Sequence, residues 1–553
     1  MARSVTDPNL LVAIFQEGRF EDGGAVNCGY AISRDGGATW ERGLIPHLIA
    51  SLDGGPFDRA SDPVAGVDLA GTIYLNTLGI NRRPQGLHPT IVLTKSLDGG
   101  RTFSAPLTVA TSTTASVFLD KNWMAVNTFP ATPQANRLAV TYTRFETLDG
   151  TQFTPIAVTL SDDGGVTWTP PTVVSPPHCQ GSQPVFLPDG SLAIVYWNFA
   201  GPSGHRLEVA HSPDGGGAFA SPRPIAHVRL YDDPVARDGS FLPSATTDRT
   251  LGVLYVAYQA YWLGEPRILF TRSHDQGQTW TGPVPVNDTP NQRSVFNAAI
   301  AVTPDGQHVS VIFNDKRHDD GSGRWVDVYL AESFDGGRTW EPNLRLSEVP
   351  SDLHLAPLTG QGRMLGDYHA IVPALDFATP AFALWIDTRT GSPDPFGAAI
   401  TRTQGSTFET WQRLAFTPAE WTDPTRSSPA SDPDRDGLPN AMEYALGLDP
   451  RRTDPPPVLV ERHPGGVALL LQPSAVATDV GFVWRGSGDL LSWTTVTPAA
   501  EAWSSGPRPD LRQYRALFPN LGSPQYFRPG IKLAPGSLSV TWQMDESASV
   551  EPQ

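Results

Sequence analysis

Residues 161–168 read SDDGGVTW, and variants of this octapeptide, Ser-x-Asp-Gly-Gly-x-Thr-Trp, return about every 60 residues along the chain. The aspartate can accept hydrogen bonds from backbone N–H groups, and the glycines can take the positive φ of a chain reversal. The octapeptide therefore predicts a hairpin turn that ends in an aromatic residue packed between sheets. Clear copies cover residues 33–40, 96–103, 161–168, 212–219, 273–280 and 333–340, and an eroded copy covers residues 401–408.

The sequence upstream of each copy predicts three further strands per unit. A strand such as residues 90–94 precedes the octapeptide, an apolar run such as residues 72–78 lies before it, and a strand opening with a polar residue, such as Asp62-Pro63, comes first. Each unit is then a four-stranded antiparallel sheet, and radial repetition of such sheets gives a β-propeller. The pattern favours seven blades, with six as the alternative, and the first unit, residues 5–48, shows only its three outer strands.

The octapeptide resembles the Asp-box (BNR) repeat of sialidases and related propellers, and the resemblance covers roughly residues 5–415. It implies an all-β propeller in which the Asp boxes are architectural turns on the face away from any site. Propellers with this repeat include hydrolases, lyases, binding proteins and receptors, so the fold alone does not decide the function.

Composition excludes several classes of partner. The 553 residues carry 57 acidic and 40 basic side chains, a net charge of −17, and no Lys/Arg stripe that could follow a phosphate backbone. No apolar run approaches the ~18 residues of a membrane span. With Cys28 and Cys179 as its only cysteines, the chain has no disulfide framework, and whether the two pair stays open. Because the first unit begins almost at Met1, we expect a signal peptide upstream of the given start and an extracellular, cell-surface or periplasmic location.

Candidate catalytic residues follow from propeller geometry. The loops that enter the inner strands, and those that join the second and third strands, line the mouth of the central channel. Their carboxylates predict acid/base chemistry, and their cations and amides predict contacts with a polar, acidic sugar. The catalytic candidates are Asp62, Asp120, Asp367 and Tyr368, and the candidates for substrate binding are Arg59, Lys121, Gln183, Asn297, Arg317, Arg363 and Arg389.

Two of these arginines belong to Asp-x-Arg pairs at equivalent blade positions, Asp315/Arg317 and Asp387/Arg389, with Glu17/Arg19 as a variant. Residues two apart on a strand point the same way, so each pair can close a local bridge. Bridges that tie blade ends together and direct ligand contact are both open at this point.

Sialidases place an arginine triad on the substrate carboxylate, a tyrosine activated by a glutamate as nucleophile, and an aspartate as acid/base. The resemblance implies Tyr368, beside Arg363, as the nucleophile and Asp62 or Asp120 as the acid. The early Arg-Ile-Pro or Arg-Leu-Pro motif of that family is absent here, so sialic acid as the substrate is not implied. The phrases DKNW at 120–123, GDY at 366–368 and DTR at 387–389 are similar to those of bacterial sialidase-like proteins.

Residues 432–443 match a calcium loop. Acidic oxygens fall at loop positions 1, 3 and 5, glycine at 6, a backbone carbonyl at 7, asparagine at 9 and glutamate at 12, as an EF-hand-type loop requires. The segment resembles the single loops of dockerin and thrombospondin type 3 repeats, and it predicts a structural calcium ion and no organic cofactor. The expected ligands are Asp432, Asp434, Asp436, Leu438, Asn440 and Glu443.

The chain is therefore divided into a propeller over residues 1–416, a linker with the calcium loop over 417–457, a small β-sandwich over 458–535 and a disordered tail over 536–553. The favoured function is hydrolysis of a glycosidic bond in an acidic or sulfated glycan. The alternatives are a polysaccharide lyase with Tyr368 or His369 as the base, and a propeller that binds a glycan or protein without catalysis. The oligomeric state stays open.

Overall fold

The computed structural model describes residues 1–400 apart from 84–85, 113, 115, 202–203, 238–241, 291 and 376–378. Beyond residue 400 it describes residues 408–416, 420, 423–448, 450–451, 453, 459–463, 466–471, 480–487, 494–505, 512–519, 526–533 and 539–541. The chain divides into two compact units, residues 1–375 with 379–400, and residues 376–378 with 401–553. No helix among the described residues is long and apolar enough to cross a membrane.

The described strands of the first unit fall into seven successive antiparallel groups, of which the first two join into one sheet where Ala25 pairs with Ala60. The first two groups are β1 (Ala2–Arg3), β2 (Leu11–Arg19), β3 (Ala25–Ser33) and β4 (Glu41–Leu44), then β5 (Arg59–Val67), β6 (Ile73–Arg83), β7 (Gly86–Ser96) and β8 (Leu107–Thr111). The short helix α1 (Ala50–Asp53) lies between them. The third group is β9 (Val117–Val126), β10 (Leu138–Leu148), β11 (Thr151–Phe153), β12 (Ile156–Ser161) and β13 (Thr172–Val173).

The fourth and fifth groups are β14 (Cys179–Phe186), β15 (Leu192–Gly201), β16 (Gly204–Ser212) and β17 (Arg223–His227), then β18 (Ser244–Thr247), β19 (Leu254–Trp262), β20 (Glu265–Ser273) and β21 (Val284–Pro285). The sixth is β22 (Val295–Val302), β23 (Val309–Asp315), β24 (Trp325–Ser333), β25 (Leu344–Arg345) and β26 (Ser351–Asp352). After a 3-10 turn, Leu353–Leu355, and the hairpin β27 (Leu358–Thr359) and β28 (Gly362–Arg363), the seventh is β29 (Ala370–Val372), β30 (Ala381–Asp387) and β31 (Asp394–Ile400).

The groups close into a ring, which makes the first unit a β-propeller. The inner strands β5, β9, β14, β18, β22 and β29 neighbour one another in that order. The ring closes where Arg3 donates to the carbonyl oxygens of Pro373 and Pro380, and where Trp40 packs on Phe382 with ring centroids 5.1 Å apart. An apolar cluster fills each space between consecutive groups. The blade count stays a prediction, with which the seven strand groups are consistent.

The first group corrects one expectation. Ala2 and Arg3 pair with Val12 and Leu11, so a two-residue strand occupies the inner position that the sequence appeared to lack. The pairing was not visible in the sequence because two residues are too few to show a strand period.

Each Asp box in the described residues forms the turn between the third and fourth strands, as the sequence predicts. In the copy at 161–168, the Asp163 carboxylate accepts from the backbone N–H of Thr167 at 2.9 Å and from its hydroxyl at 2.6 Å. Ser161 Oγ donates to Asp163 and accepts from the backbone N–H of Gly165. Gly164 and Gly165 take φ of 68° and 80°, which explains the two glycines. Residues 401–407 of the eroded copy lie outside the described residues.

The described residues of the second unit include three helices and two sheets. The helices are α2 (Phe408–Ala415), α3 (Pro424–Ser427) and α4 (Asn440–Leu446). One sheet has the order β32 (Leu459–His463), β33 (Gly466–Leu471), β37 (Arg512–Pro519), β36 (Ala500–Ser505), and the other β35 (Thr494–Val496), β34 (Val480–Ser487), β38 (Tyr526–Leu533), β39 (Ser539–Thr541). Leu471 and Tyr514 of the first sheet and Trp484 of the second share one core, as in a sandwich.

Two boundaries differ from those expected from sequence. The first unit ends at Ile400 instead of residue 416, because α2 packs in the second unit, where Phe408 contacts Tyr444 at 5.6 Å between ring centroids. Within the predicted tail, Ser539–Thr541 pair with β38 as a strand, so the expectation of disorder is wrong for these residues. Residues 536–538 and 542–553 lie outside the described part of the chain, as do residues 417–419 and 421–422 of the linker.

Candidate functional site

Four inner strands share the same bulge at the channel mouth. In β5, β9, β14 and β22 two residues face a single residue of the second strand. One residue of each bulge has positive φ: Asp62 (45°), Lys121 (53°), Gly181 (69°) and Asn297 (56°). A side chain in this left-handed region costs about 1–2 kcal/mol, and bulges turn side chains toward new directions. The backbone strain is therefore concentrated at the bulges, where polar side chains line the mouth of the channel.

The bulges bring three carboxylates and a lysine together. Asp62 Oδ2 accepts from the backbone N–H of Lys121 at 3.1 Å, and its Oδ1 accepts from Ser61 Oγ at 2.8 Å. The Lys121 ammonium forms an ion pair with Asp367, and both side chains are 5% exposed. We call Asp62, Asp120, Lys121 and Asp367 the mouth cluster, and all four are residues that the sequence predicted for the site.

Arg237 is a member of this site that sequence reasoning missed. Its Nε and Nη2 fork onto the two oxygens of Asp367 at 2.8 and 2.7 Å. Its backbone N–H donates to the carbonyl of Arg363 at 2.7 Å, so the segment before β18 reaches across to the hairpin of β27 and β28. Such a long-range crossing has no local signal in the sequence.

The pKa values of two carboxyl groups in the mouth cluster, Asp367 and Asp120, are shifted in opposite directions. Burial would raise the pKa of Asp367, but Lys121 and Arg237 outweigh it and lower that pKa to about 2. Burial, followed by the negative charge of Asp62, raises the pKa of Asp120 to about 7, against the opposing charge of Lys121. Near neutral pH the site therefore holds Asp120, a carboxyl group that can donate a proton, beside Asp367, a carboxylate that cannot.

Aromatic side chains and a histidine border the cluster. The Tyr368 ring lies 4.9 Å from Lys121 Nζ and 5.0 Å from the Trp123 ring. Burial, and the charges of Asp62 and Asp367, raise the pKa of Tyr368 although Lys121 opposes them. His369 is buried, which lowers its pKa to about 4, and neither ring nitrogen has a hydrogen-bond partner among the described residues. Both groups are therefore uncharged at neutral pH.

A hydrogen-bonded chain joins the first blade to Asp62. Arg19 Nη1 donates to Gln16 Oε1 at 3.1 Å, and Gln16 Nε2 donates to Ser61 Oγ at 3.0 Å. Arg19 makes no ion pair with any described residue. Burial and the nearby charge of Arg237 lower its pKa, while the three acidic members of the mouth cluster raise it. Arg19 thus contributes a positive charge close to the cluster.

The other predicted binding residues make contacts within the protein instead. Arg59 is held by Asp22 at 2.6 Å and lies over the Phe20 ring at 4.0 Å. Gln183 Oε1 accepts from the backbone N–H of Ala245 at 2.7 Å, which joins two blades. Asn297 Nδ2 donates to the carbonyl of Gly366 at 2.8 Å, so this residue positions the segment that carries Asp367.

Two of the three acidic-x-Arg pairs are closed. Arg317 contacts Asp315 at 2.7 Å and Arg389 contacts Asp387 at 2.7 Å. Glu17 and Arg19 form no such bridge because Gly18, between them, takes φ of 68° and interrupts the strand alternation. The closed pairs support the interpretation that they tie blade ends together. Arg363 donates to the carbonyl of Ala356 at 2.9 Å and supports Arg237 through its backbone.

The predicted calcium loop is a separate site in the second unit. Carboxylate oxygens of Asp432, Asp434 and Asp436 lie within 4.8 Å of one another. Asp432 accepts from the backbone N–H of Arg435 at 2.8 Å and of Gly437 at 3.0 Å, which fixes the loop. The loop then runs into α4, which ends at Gly447 with φ of 70°. Leu438, Asn440 and Glu443 are buried at the start of this helix.

A comparison with models of known protein families agrees with the interpretation of the octapeptide as a BNR repeat. Residues 9–228 match the family model of the BNR repeat-like domain, which confirms over those residues the resemblance that the octapeptides indicated. No curated protein matches the sequence.

Solved structures with a similar fold include the NanB sialidase from Streptococcus pneumoniae, with 13% identity over 63% of this chain and 70% of that one, and a TM-score of 0.36. A PL25 ulvan lyase bound to -[GlcA(1-4)Rha3S]- has 13% identity over 72% and 77%, with a TM-score of 0.33. The Penicillium chrysogenum α-L-arabinanase complexed with arabinobiose has 15% identity over 63% and 97%, with a TM-score of 0.35. None of the three assigns a substrate to this chain.

Proposed function

We propose that this protein is a secreted glycoside hydrolase that cleaves a bond in an acidic or sulfated glycan at the mouth cluster. Asp120 acts as the general acid that protonates the leaving oxygen. Asp62 is the carboxylate on which the second half of the reaction depends, as nucleophile or as base for water. Asp367 binds Lys121 and Arg237 and so positions these cations rather than reacting itself.

The observation that carries this proposal is the convergence of Asp120, whose pKa is raised, with two further carboxyl groups at the mouth of the channel. Asp62 accepts hydrogen bonds from the backbone N–H of Lys121 and from Ser61 Oγ, which fix its orientation. Desolvation, followed by the negative charge of Asp62, raises the pKa of Asp120 to about 7. Glycoside hydrolysis needs two carboxyl groups whose environments push them into different protonation states.

The charges around the cluster favour an acidic substrate. With Asp120 protonated, Asp62 and Asp367 contribute two negative charges, while Lys121, Arg237 and Arg19 contribute three positive ones. The site is then positive by one charge, in a chain whose net charge is −17. A carboxylate or sulfate group near Arg19 would balance it, and arginine is well suited to binding such groups.

The lyase alternative has weaker support from the side chains. A lyase needs a base close to the carbon that loses a proton, and the sequence offered Tyr368 and His369 for it. The raised pKa of Tyr368 keeps its phenol protonated, and the pKa of about 4 for His369 makes it a weak base. A propeller that binds without catalysis would not need the two protonation states.

For the second unit we propose a structural calcium ion held by Asp432, Asp434, Asp436, Leu438, Asn440 and Glu443. Among the described residues, Asp434 Oδ2 and Asn440 Oδ1 are buried oxygens without a hydrogen-bond partner, and oxygen ligands are those that calcium prefers. The Asn440 amide group donates to the carbonyls of Arg426 and Ser428 at 2.8 Å, which orients that residue. The ion would stiffen the loop, and millimolar calcium outside the cell fits the proposed secretion.

Mass spectrometry of reaction products tests the hydrolase. The full chain is incubated with sialylated, uronate-containing and sulfated glycans, beside the Asp120→Asn variant as a matched control of the same size. Products that carry an added water, and that are absent with the variant, are the expected result. Unsaturated products would instead establish a lyase, and binding without any product would leave a recognition module.

A further inference from the structure

Five aromatic side chains form a continuous run at the mouth, where the third and fourth blades meet. In order they are Phe153, His178, Phe199, Trp197 and His205, and neighbouring ring centroids lie 6.0, 6.0, 5.0 and 5.2 Å apart. We call them the aromatic run. Trp197 is 9% exposed and forms its base, whereas the other four rings are half-buried and reach solvent.

Backbone hydrogen bonds fix the residues of the aromatic run, both between the third and fourth blades and within the fourth. Thr154, which follows Phe153, forms a parallel bridge with His178 and accepts from the backbone N–H of Cys179 at 3.0 Å. The backbone N–H of Phe199 donates to the carbonyl of His178 at 3.1 Å. A preorganised surface loses little conformational entropy when a ligand binds, so this arrangement suits recognition.

The aromatic run begins on the same blade as the proposed acid. Asp120 lies opposite Thr143 on one side of β10, and Phe153 lies opposite Glu146 on the other side, three residues further along. At about 3.3 Å per residue along the strand and about 4.8 Å between neighbouring strands, the two residues lie about 14 Å apart. A chain molecule with one bond at Asp120 could therefore extend over the aromatic run without leaving this sector of the mouth.

Charged side chains border the rings. Arg144 forms an ion pair with Glu146 at 2.5 Å beside Phe153. Arg206 forms an ion pair with Glu208 in the strand next to Trp197 and Phe199. Flat aromatic faces edged by hydrogen-bonding groups match a sugar ring, whose axial C–H groups make one face apolar and whose hydroxyl groups lie at its rim.

We infer that the aromatic run is a binding subsite for further sugar units of a glycan chain whose reacting bond lies at Asp62 and Asp120. The inference rests on the proposed function and specifies its substrate: a polysaccharide or longer oligosaccharide, not a single terminal sugar. The rings of His178 and Phe199 supply the stacking faces, and Arg144 and Arg206 supply the polar rim.

Affinity electrophoresis of the full chain, with calcium present, tests the subsite. Native gels contain chondroitin sulfate, polygalacturonate, polysialic acid or arabinan, and Asp120→Asn is the common background so that the polymer is not degraded. Phe199→Ala and His178→Ala are compared with Phe145→Ala, a matched control whose ring contacts Phe118 and no member of the aromatic run among the described ring pairs. Phe199→Tyr keeps the ring and separates loss of stacking from loss of fold.

The background protein is expected to be retarded by at least one polymer, and Phe199→Ala and His178→Ala to weaken retardation about tenfold, which is about 1.4 kcal/mol. Phe145→Ala and Phe199→Tyr keep it, and a tetrasaccharide of the same polymer competes better than its monosaccharide. The inference is overturned if no polymer retards the protein, if Phe199→Ala and Phe145→Ala behave alike, or if the monosaccharide competes equally well.

The same polymers separate this inference from the proposed function. If a polymer retards the protein through Phe199 but the wild-type chain, with Asp120 intact, releases no product from it, the hydrolase fails while the subsite stands. If the wild-type chain releases product and Phe199→Ala leaves both retardation and chain-length preference unchanged, the subsite fails while the hydrolase stands.

Discussion

The Asp boxes and the mouth cluster use the same residue type in opposite ways. The box aspartates range from exposed, as at Asp163, to buried, as at Asp335, and each is satisfied by the serine and the residues of its own turn. Hydrogen bonds from Thr167, for example, lower the pKa of Asp163. The mouth aspartates come from different blades, are buried or nearly so, and depend on one another and on Lys121 and Arg237. In this molecule the repeat builds the scaffold, and departures from the repeat form the mouth cluster.

The largest effect is expected at Asp120, where replacement tests whether the mouth cluster is catalytic at all. Asp120→Asn removes the group that donates the proton and keeps the side-chain volume. Loss of a general acid lowers kcat by about 10²- to 10⁴-fold. Steady-state product formation at pH 6.5 measures it, and an unchanged melting temperature shows that the fold is intact. Activity within twofold of wild type would exclude Asp120 as the acid.

The raised pKa of Asp120 also predicts a pH dependence of stability opposite in sign to that of a box aspartate such as Asp163, whose pKa is lowered. Its pKa is about 7 in the folded protein against an ordinary value of 3.8. The folded state thus binds the proton more tightly, so the stability that this group contributes is present at low pH and is lost as the pH rises from about 4 to about 7. Above pH 7 the loss levels off.

Melting temperatures of wild type and Asp120→Asn across pH 4 to 8 measure this loss. The variant should gain stability relative to wild type as the pH rises through this window, and the activity of the wild type should fall above about pH 7. A difference between the two proteins that does not vary with pH would show that Asp120 ionises like an exposed aspartate.

Lys121 tests how far the mouth carboxylates depend on their cations. Lys121→Met leaves the buried Asp367 paired with Arg237 alone among the described cations and should destabilise the first unit by about 3 kcal/mol. The double variant Lys121→Met/Asp367→Asn should be less destabilised than Lys121→Met, because it no longer buries the poorly compensated charge. Calorimetric unfolding measures both, and simple additivity of the two single changes would contradict the buried-pair interpretation.

The calcium loop contains a third group of aspartates, distinct from those of the Asp boxes and the mouth cluster. Calcium at 100 times its dissociation constant should stabilise the second unit by about 2.7 kcal/mol, because it binds only the folded loop. Asp434→Asn should abolish most of that gain without changing kcat. Thermal unfolding with calcium and with EDTA measures the gain, and equal melting temperatures in both buffers for the wild-type protein would mean that no ion is bound.

Much of this organisation is predictable from the sequence because it is local. The octapeptide predicts its own turn, since Ser161, Asp163, Gly165 and Thr167 contact one another within a few residues. The polar residue that opens each inner strand also identifies Asp62, Asp120 and Lys121. Their distinct roles are not predictable: the bulge register places Lys121, not Asp120, at the position equivalent to Asp62. The sequence does not indicate Arg237 as a site residue, because its partner Asp367 lies 130 residues away.

The smallest effect on activity is expected at an Asp box. Asp163→Asn keeps one carbonyl oxygen to accept from Thr167, and Gly164 and Gly165 still supply the reversal, so the turn should survive with a melting temperature lowered by a few degrees at most. Because the turn lies between the third and fourth strands, at the opposite end of the blade from the mouth, kcat should change less than about twofold. The assay used for Asp120→Asn measures it. A loss of activity comparable to that of Asp120→Asn, without unfolding, would mean that the repeat itself takes part in the chemistry and that the division between scaffold and site is wrong.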